Sequence, residues 1–319
     1  MLLIKNAYLK TMVSADIANG CILLDDAGKI AAVGEEIAVP EGCTVIDAEG
    51  RLVTPGCVDA HCHIGLDNEA TGWEGRDYNE MVDPITPQMR AIDSINPMDE
   101  AFGNALQGGV TTACTGPGSA NVIGGTFTAI KLHGDNVDDM ILRPAVAMKI
   151  AMGENPKGCY GQQGKKLPIT RMGVAALLRG TLAKAKKYAQ DIDEAEKEGK
   201  AKPSFDFQME AMLPVIRKEI PLKAHAHRAD DILTVLRVCK EFDVDVTLDH
   251  VTEGHLIVDK LVEAGKPVLV GPSFGSKSKF ELKEKSFQTP GILNKAGLEV
   301  CIITDAPVIP LNYLPLCAG

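Results

Sequence analysis

Aromatic residues are scarce in this sequence. They make up 4% of 319 positions, and the only tryptophan is Trp73. A core built on large rings is excluded, so the 45% hydrophobic content must pack through aliphatic side chains. No apolar run approaches the roughly 20 residues that a membrane-spanning helix needs. The opening residues, MLLIKNAYLK, lack the basic segment and long apolar stretch of a signal peptide. CxxC spacing is absent from the nine cysteines, an odd number, and without an export signal they read as free thiols of a reducing cytoplasm. A basic excess is missing as well. Lys and Arg total 33 against 43 Asp and Glu, for a net charge of −10. A nucleic-acid binder concentrates Lys and Arg on one face, so that class is set aside.

Glycine is plentiful, at 31 residues, which suits many tight strand–helix turns. Residues 1–51 read as short strands separated by turn signals: LLIKNAYL, GCILLDD, KIAAVG and CTVIDAEGRLV. This segment is expected to form a small N-terminal β module, half of a β-sandwich. From residue 52 the pattern becomes strand, loop, helix. The predicted strands are 52–60, 110–114, 126–131, 144–152, 221–225, 244–249, 267–271 and 299–304. VDVTLD, PVLVG and EVCIIT are short apolar runs of the kind found in parallel strands covered on both faces. DEAFGNALQGG, ADDILTVLRVCKEF and EGHLIVDKLVEAGK carry helical periodicity between strands. Residues 52–319 are therefore expected to be an α/β domain, a (β/α)8 TIM barrel, with an open doubly wound sheet as the alternative. The chain stops soon after Asp305, so truncation of the last helix and of closing strands is expected.

In such a barrel the C-terminal ends of the strands converge on one mouth. Five of the seven histidines fall at those ends. LVTPGCVDAHCHIG closes the first strand with His61 and His63, PLKAHAH gives His225 and His227, VDVTLDH gives His250, and EVCIITD gives Asp305. Two histidines separated by one residue point to the same side of a strand, which makes Cys62 a small filler facing the other way. A single histidine is more often a hydrogen-bonded core residue than a ligand. Five with an aspartate, all at strand ends, point to a divalent metal, zinc preferred, since Zn²⁺ takes imidazole and carboxylate ligands and keeps a position open for water.

DAHCHIG after VTPG, the histidines of strands five and six, and TD at strand eight together resemble the amidohydrolase superfamily of metal-dependent hydrolases. Within it the chain resembles the imidazolonepropionase-like and dipeptidase-like branch, GENPKGCYG (153–161) and EGRDYNE (74–80) included. The resemblance covers nearly the whole chain. It implies one or two zinc ions, with His61 and His63 on the more buried one and His225 and His250 on a second or shared site. It implies that Asp305 touches metal and acts as general base, and that His227 orients substrate or water, with His227 or His250 stabilising the oxyanion. Relatives with two metals bridge them through a carbamylated lysine or a glutamate. Lys149 and Glu154 both lie near strand four, and Glu154 is preferred because it sits nearer the mouth. The implied reaction is hydrolysis of a C–N bond in a cyclic amide or a dipeptide-like substrate. Deamination of an amino-substituted ring is the alternative, disfavoured because Arg228 stands where deaminating relatives carry glutamate. A non-catalytic barrel is a third reading, disfavoured by the intact ligand set.

Residues 64–97 form a long polar loop after the first strand, and loops of that length inside a domain are usually functional. Within it Trp73, Arg76, Tyr78 and Asn79 offer stacking and polar contacts. Arg76, Tyr78 and Arg228 are the substrate-binding candidates, an arginine being suited to clamp a carboxylate. The glycine-rich TGPGSANVIGG (115–125) is not a nucleotide loop. GSKSK (275–279) resembles an anion-binding loop but, like the charged 181–203 helix, reads as solvated surface. The expected partner is a small-molecule substrate, with no nucleic acid and no membrane. Exposed strand edges of the β module favour a homo-oligomer.

Overall fold

The computed structural model describes all residues from Met1 to Gly319, and the chain divides into two units, Met1–Gly56 and Cys57–Gly319. In the first, β1 (Leu2–Leu9) pairs antiparallel with β2 (Ile17–Leu24), and β3 (Ile30–Gly34) adds to the outer edge of β2. Between β2 and β3 Asp25 makes the turn, its carboxylate accepting from the backbone N–H groups of Ala27 and Lys29. β4 (Thr44–Asp47) and β5 (Leu52–Val53) both run parallel to β1. Leu3, Ala7 and Leu9 are the buried residues of β1.

Pro55-Gly56 divides the strand predicted over residues 52–60. Its first part is β5, and its second is the separate strand β6 (Cys57–Cys62). A proline cannot donate to a strand ladder, so the run breaks where it stands. β6 opens an eight-stranded sheet of the second unit. The others are β7 (Val110–Thr115), β8 (Ile123–Lys131), β9 (Ile141–Ala151), β10 (Leu222–Ala226), β11 (Val246–His250), β12 (Val268–Val270) and β13 (Val300–Ile302), each beside the next in sequence order. β8 is antiparallel to both its neighbours, while every other pair is parallel. The regular (β/α)8 expectation is therefore corrected at one strand. A parallel connection needs a crossover of a dozen or more residues. Residues 116–122 and 132–140 are too few for one, so the chain doubles back through β8. The last strand reaches the first beyond its formal end: Asp305 N–H donates to His61 O at 3.2 Å, and His63 N–H donates to Ala306 O at 2.8 Å. The architecture is a mixed α/β unit around a nearly closed barrel.

The helices are α1 (Glu100–Gln107), α2 (Val137–Met140), α3 (Glu154–Pro156), α4 (Arg171–Glu198), α5 (Phe207–Ile216), α6 (Ala229–Phe242), α7 (Val258–Ala264), α8 (Thr289–Lys295) and α9 (Leu314–Ala318). The charged 181–203 stretch is the end of α4. That helix starts at Thr170, whose hydroxyl accepts from Gly173 N–H, and ends at Gly199 in the left-handed conformation. Val174, Leu178, Leu182, Ala185, Ala189 and Ile192 form its buried stripe, three and four residues apart, with the charges on the other face. None of these helices is long and apolar enough to cross a membrane.

Candidate metal centre

Strand geometry accounts for the first cluster. His61 and His63 leave the end of β6 on one side, and the two backbone bonds that close the barrel bring Asp305 against them. Asp305 Oδ1 lies 3.3 Å from Nε2 of each histidine. Asp59 locks the far side of this junction, accepting from Thr304 N–H at 3.0 Å, from Thr304 Oγ1–H at 2.5 Å and from His61 N–H at 3.0 Å. Burial raises the Asp59 carboxyl to about 6 even so.

The second cluster is His225, His227 and His250, whose ligating atoms all lie within 4.8 Å of one another, as do those of His61, His63 and Asp305. In a regular strand Asp249 and His250 would face opposite sides. His250 instead has φ +70° and Val251 φ +47°. This left-handed kink, costing on the order of 1–3 kcal/mol, lets both side chains face the interior, and both are at most 1% exposed. Asp305 shares the device, with φ +55°. The clusters adjoin through His61 and His250, whose ring centroids are 5.2 Å apart.

Hydrogen bonds fix which ring nitrogen faces the centre. His63 Nδ1–H donates to Gly116 O at 2.7 Å, and His250 Nδ1–H donates to Gly271 O at 2.8 Å. A carbonyl can only accept, so Nε2 in each carries the lone pair. His61 Nδ1 lies 3.0 Å from Asp249 Oδ2, and His227 Nδ1 lies 2.7 Å from the Thr252 hydroxyl. The Asp249–His61 contact is a close carboxylate–imidazole pairing and lies outside hydrogen-bond geometry.

Protonation states suit a cation. Burial, with Lys149 adding to it, pushes His61 down to about 4. Burial and the neighbouring imidazoles push His225 and His227 well below the ordinary value. Burial alone would raise Asp305, but His250 and the bonds with His61 and His63 outweigh it and hold the carboxyl well below the carboxylate range. Burial opposes ionisation of Asp249 too, and Lys223 and His61 overcome it. Neutral imidazoles and ionised carboxylates are the states that metal ligands need. His250 Nε2 is buried without any hydrogen-bond partner, and such an atom is costly unless something binds it. The donor set and this orphaned nitrogen fit a divalent ion.

Lys149, on β9, is fully buried between the clusters. Its Nζ lies 3.3 Å from His61 Nε2 and 3.6 Å from Asp249 Oδ2. Burial lowers it to about 8, against the pull of Asp249 and Asp305. Glu154 lies on α3 and enters neither cluster. Its Oε2 accepts from Glu281 N–H at 3.4 Å.

A cavity of about 870 Å³ opens onto both clusters. Tyr78 lines it and stacks on His63, with ring centroids 5.4 Å apart. Asn79, Ser119, Asn155, Lys157 and Lys279 supply polar walls. Arg76 and Arg228 are not among the lining residues. Arg76 lies 3.8 Å from Asp67, and Arg228 makes two bonds to Asp230. Trp73 is 86% exposed and also lies off the cavity. The 64–97 loop is stitched down instead of hanging free. Asn121 donates to the carbonyls of Glu80 and Asp83, and so does the hydroxyl of buried Tyr160. The glycine-rich 115–125 segment serves this contact, since a Cβ on Gly118 would come within 2.6 Å of Asn79 and Tyr78.

Sequence reading passed over Asp249, Glu281 and Lys279. Asp249 precedes His250 directly, and strand alternation points it away. Lys279 sits in a stretch that reads as solvated. Glu281 carries no motif.

No family model matches the chain. An amidohydrolase structure from Thermotoga maritima superposes with a TM-score of 0.96 at 40% identity, over 100% of this chain and 82% of that one. A prolidase solved with N-methylphosphonate-L-proline shares the fold, with a TM-score of 0.52 at 14% identity over 95% of this chain and 78% of its own. The amidohydrolase tasK of Hapsidospora irregularis is 29% identical over 308 residues, 88% of this chain, and this chain spans only 31% of its length. At 40% identity across its whole length to the Thermotoga protein, the chain belongs to the amidohydrolase superfamily.

Proposed function

We propose that this protein is a metal-dependent hydrolase of C–N bonds, acting on a cyclic amide or a small dipeptide-like substrate in the 870 Å³ cavity. The observation that carries this reading is the convergence of two buried ligand clusters on that cavity, with Asp305 3.3 Å from two imidazoles. His61, His63 and Asp305 would hold one ion, and His225 and His250 a second. Lys149, lying between the clusters, is the better candidate than Glu154 for the bridging position, as a carbamate. Zinc is the preferred metal. A divalent ion held there supplies a nucleophilic water at neutral pH and Lewis acidity toward a carbonyl.

The protein's own groups do the rest. Asp305, ionised and at the cavity wall, takes a proton from the attacking water and passes it to the leaving nitrogen. His227, which lines the cavity with its Nδ1 tied to Thr252, orients the carbonyl oxygen. Tyr78 and the polar walls position the substrate. The test is a screen of zinc-loaded protein against cyclic amides, dipeptides and amino-substituted rings, with elemental analysis of wild type and Lys149→Ala beside it. Turnover of an amide, with two ions per chain falling in Lys149→Ala, supports the reading. Turnover of amino-substituted rings alone replaces it with deamination. A folded wild type that takes up no metal removes it.

A further inference from the structure

The two clusters are not equally neutralised. His61 and His63 have Asp305 beside them and Asp249 behind them. His225, His227 and His250 have three neutral imidazoles and no carboxylate of their own strands, since Asp249 is committed to Lys223 at 3.0 Å and to His61. Apart from a carbamate on Lys149, a dication held there in a dry interior would meet imidazoles alone, and a buried charge that is poorly neutralised is costly. One further carboxylate points there. Glu281, in the turn Phe280–Leu282 after β12, is 1% exposed. Its Oε1 is 3.7 Å from His227 Nε2 and 3.8 Å from His225 Nε2.

We propose that Glu281 is a metal ligand on the second ion, beside His225 and His227, which moves His227 from the substrate carbonyl to the metal. This inference rests on the metal-centre reading above and adds a residue from outside the strand ends.

The distances support a ligand and not a hydrogen-bond acceptor. At 3.7–3.8 Å neither imidazole bonds to Oε1, whose one close partner is the Lys279 ammonium at 2.7 Å. Two ligands about 2.0–2.1 Å from one tetrahedral ion stand roughly 3.3 Å apart, so a shift of a few tenths of an ångström brings Oε1 to the spacing that sharing an ion with His225 and His227 requires. The rest of the side chain is prepared for it. Oε2 accepts from Glu154 N–H at 3.0 Å, which fixes the carboxylate plane. Gly153, at φ +81°, makes room, because a Cβ there would lie 2.8 Å from Oε2. Lys279 stands in as counter-cation, its Nζ 2.7 Å from Oε1 and 2.8 Å from Asn155 Oδ1. Its side chain is 26% exposed and lines the cavity, so it can swing toward solvent or substrate when a dication takes its place.

The experiment titrates metal-free protein with Zn²⁺, and separately with Co²⁺, following binding by calorimetry, elemental analysis and the cobalt absorption bands. Glu281→Gln is the principal variant, because its amide oxygen still accepts from Glu154 N–H. Glu281→Asp serves where the first does not fold by circular dichroism, since the shorter side chain withdraws the carboxylate. His225→Ala is the reference. The expected result is that wild type takes up two ions, that the glutamate variant keeps one at wild-type affinity and binds the other at least about 10²-fold more weakly, outer-shell losses being 10–100-fold, and that the cobalt bands shift. If the glutamate variant binds both ions as wild type does, with unchanged bands, while His225→Ala has lost one, Glu281 is not a ligand and the metal centre stands. If His225→Ala also keeps both ions, or wild type binds none, the metal-centre reading fails and this inference with it.

Discussion

At the end of β6, His61 and His63 meet Asp305 at 3.3 Å. At the end of β10, His225 and His227 meet Glu281 at 3.8 and 3.7 Å. Both are His-x-His pairs on barrel strands, and both are almost wholly buried. They differ in how the anion is supplied. Asp305 arrives on the neighbouring strand end, held by the backbone bonds that close the barrel, so its position is set by the fold. Glu281 arrives on a connecting loop and is held by a lysine that reaches the cavity. A ligand built on sheet hydrogen bonds is rigid before any cation binds. A ligand on a loop, already paired with an ammonium group, exchanges one cation for another. The first cluster is therefore expected to bind metal more tightly and to release it last under chelation.

The largest break in this asymmetry is Asp305→Asn. The amide keeps the shape and removes both the charge and the base. The rate on an identified amide substrate is expected to fall by about 10²–10⁴-fold, the usual worth of a general base. Metal analysis should show the first cluster weakened more than the second, which Asp305 reaches through its charge on His250. Retention of more than a tenth of the rate would move the base elsewhere.

Asp249→Asn comes next, because it acts on one cluster only through a neighbour. Asp249 touches His61, Lys149 and Lys223, and its charge reaches the second histidine set only through the field it exerts on His250. Metal affinity at the first cluster should fall about 10–100-fold, as for other partners of ligating histidines. Stability should also fall, by about 3–5 kcal/mol, because two buried lysines lose their anion. Chelator competition measures the first effect and thermal unfolding of the metal-free protein the second. Equal weakening of both clusters would mean that they are one site.

Most residues of both clusters were legible in the sequence as candidate ligands, and the reasons are physical. His61, His63, His225, His227 and Asp305 sit at strand ends that apolar runs and turn residues mark out, and a two-residue period places each pair on one side. Membership of the superfamily was legible from the same residues. The run 52–60 was read as one strand because its apolar residues continue across Pro55-Gly56, where backbone chemistry and not hydropathy decides. The reversal of β8 was missed because strand direction is set by connection length, and 116–122 looks like any loop. Asp249 was missed because alternation assumes regular dihedrals, and a histidine at φ +70° does not have them. Glu281 and Lys279 are brought in by tertiary placement of a loop, which leaves no local pattern.

Tyr160→Phe tests the loop side of the comparison. The hydroxyl donates to the carbonyls of Glu80 and Asp83 and so ties 64–97, which carries Tyr78 onto His63, to the turn after α3. Losing it should cost about 1 kcal/mol, the net worth of a typical hydrogen bond. It should raise KM through a looser Tyr78 and leave metal content unchanged. Altered metal content would make this loop part of the metal centre.

The smallest effect is expected at Arg228, which follows His227 directly yet leaves the cavity. Its guanidinium makes bonds of 2.9 and 2.8 Å to Asp230, whose side chain is 51% exposed, and lies 5.6 Å from the Phe280 ring centre. Exposed pairs contribute little, and Asp230 keeps Arg171 at 3.9 Å as a second cation. Arg228→Ala should therefore change stability by no more than about 0.5 kcal/mol. It should leave kcat/KM within about twofold of wild type, since no substrate contact is lost. A loss of tenfold or more, about 1.4 kcal/mol of transition-state binding, would mean that the arginine leaves Asp230 for a substrate carboxylate. The second cluster would then have a loop-borne anion inside and a mobile cation at its rim. That result would extend its contrast with the rigid first cluster from the metal ligands to the substrate.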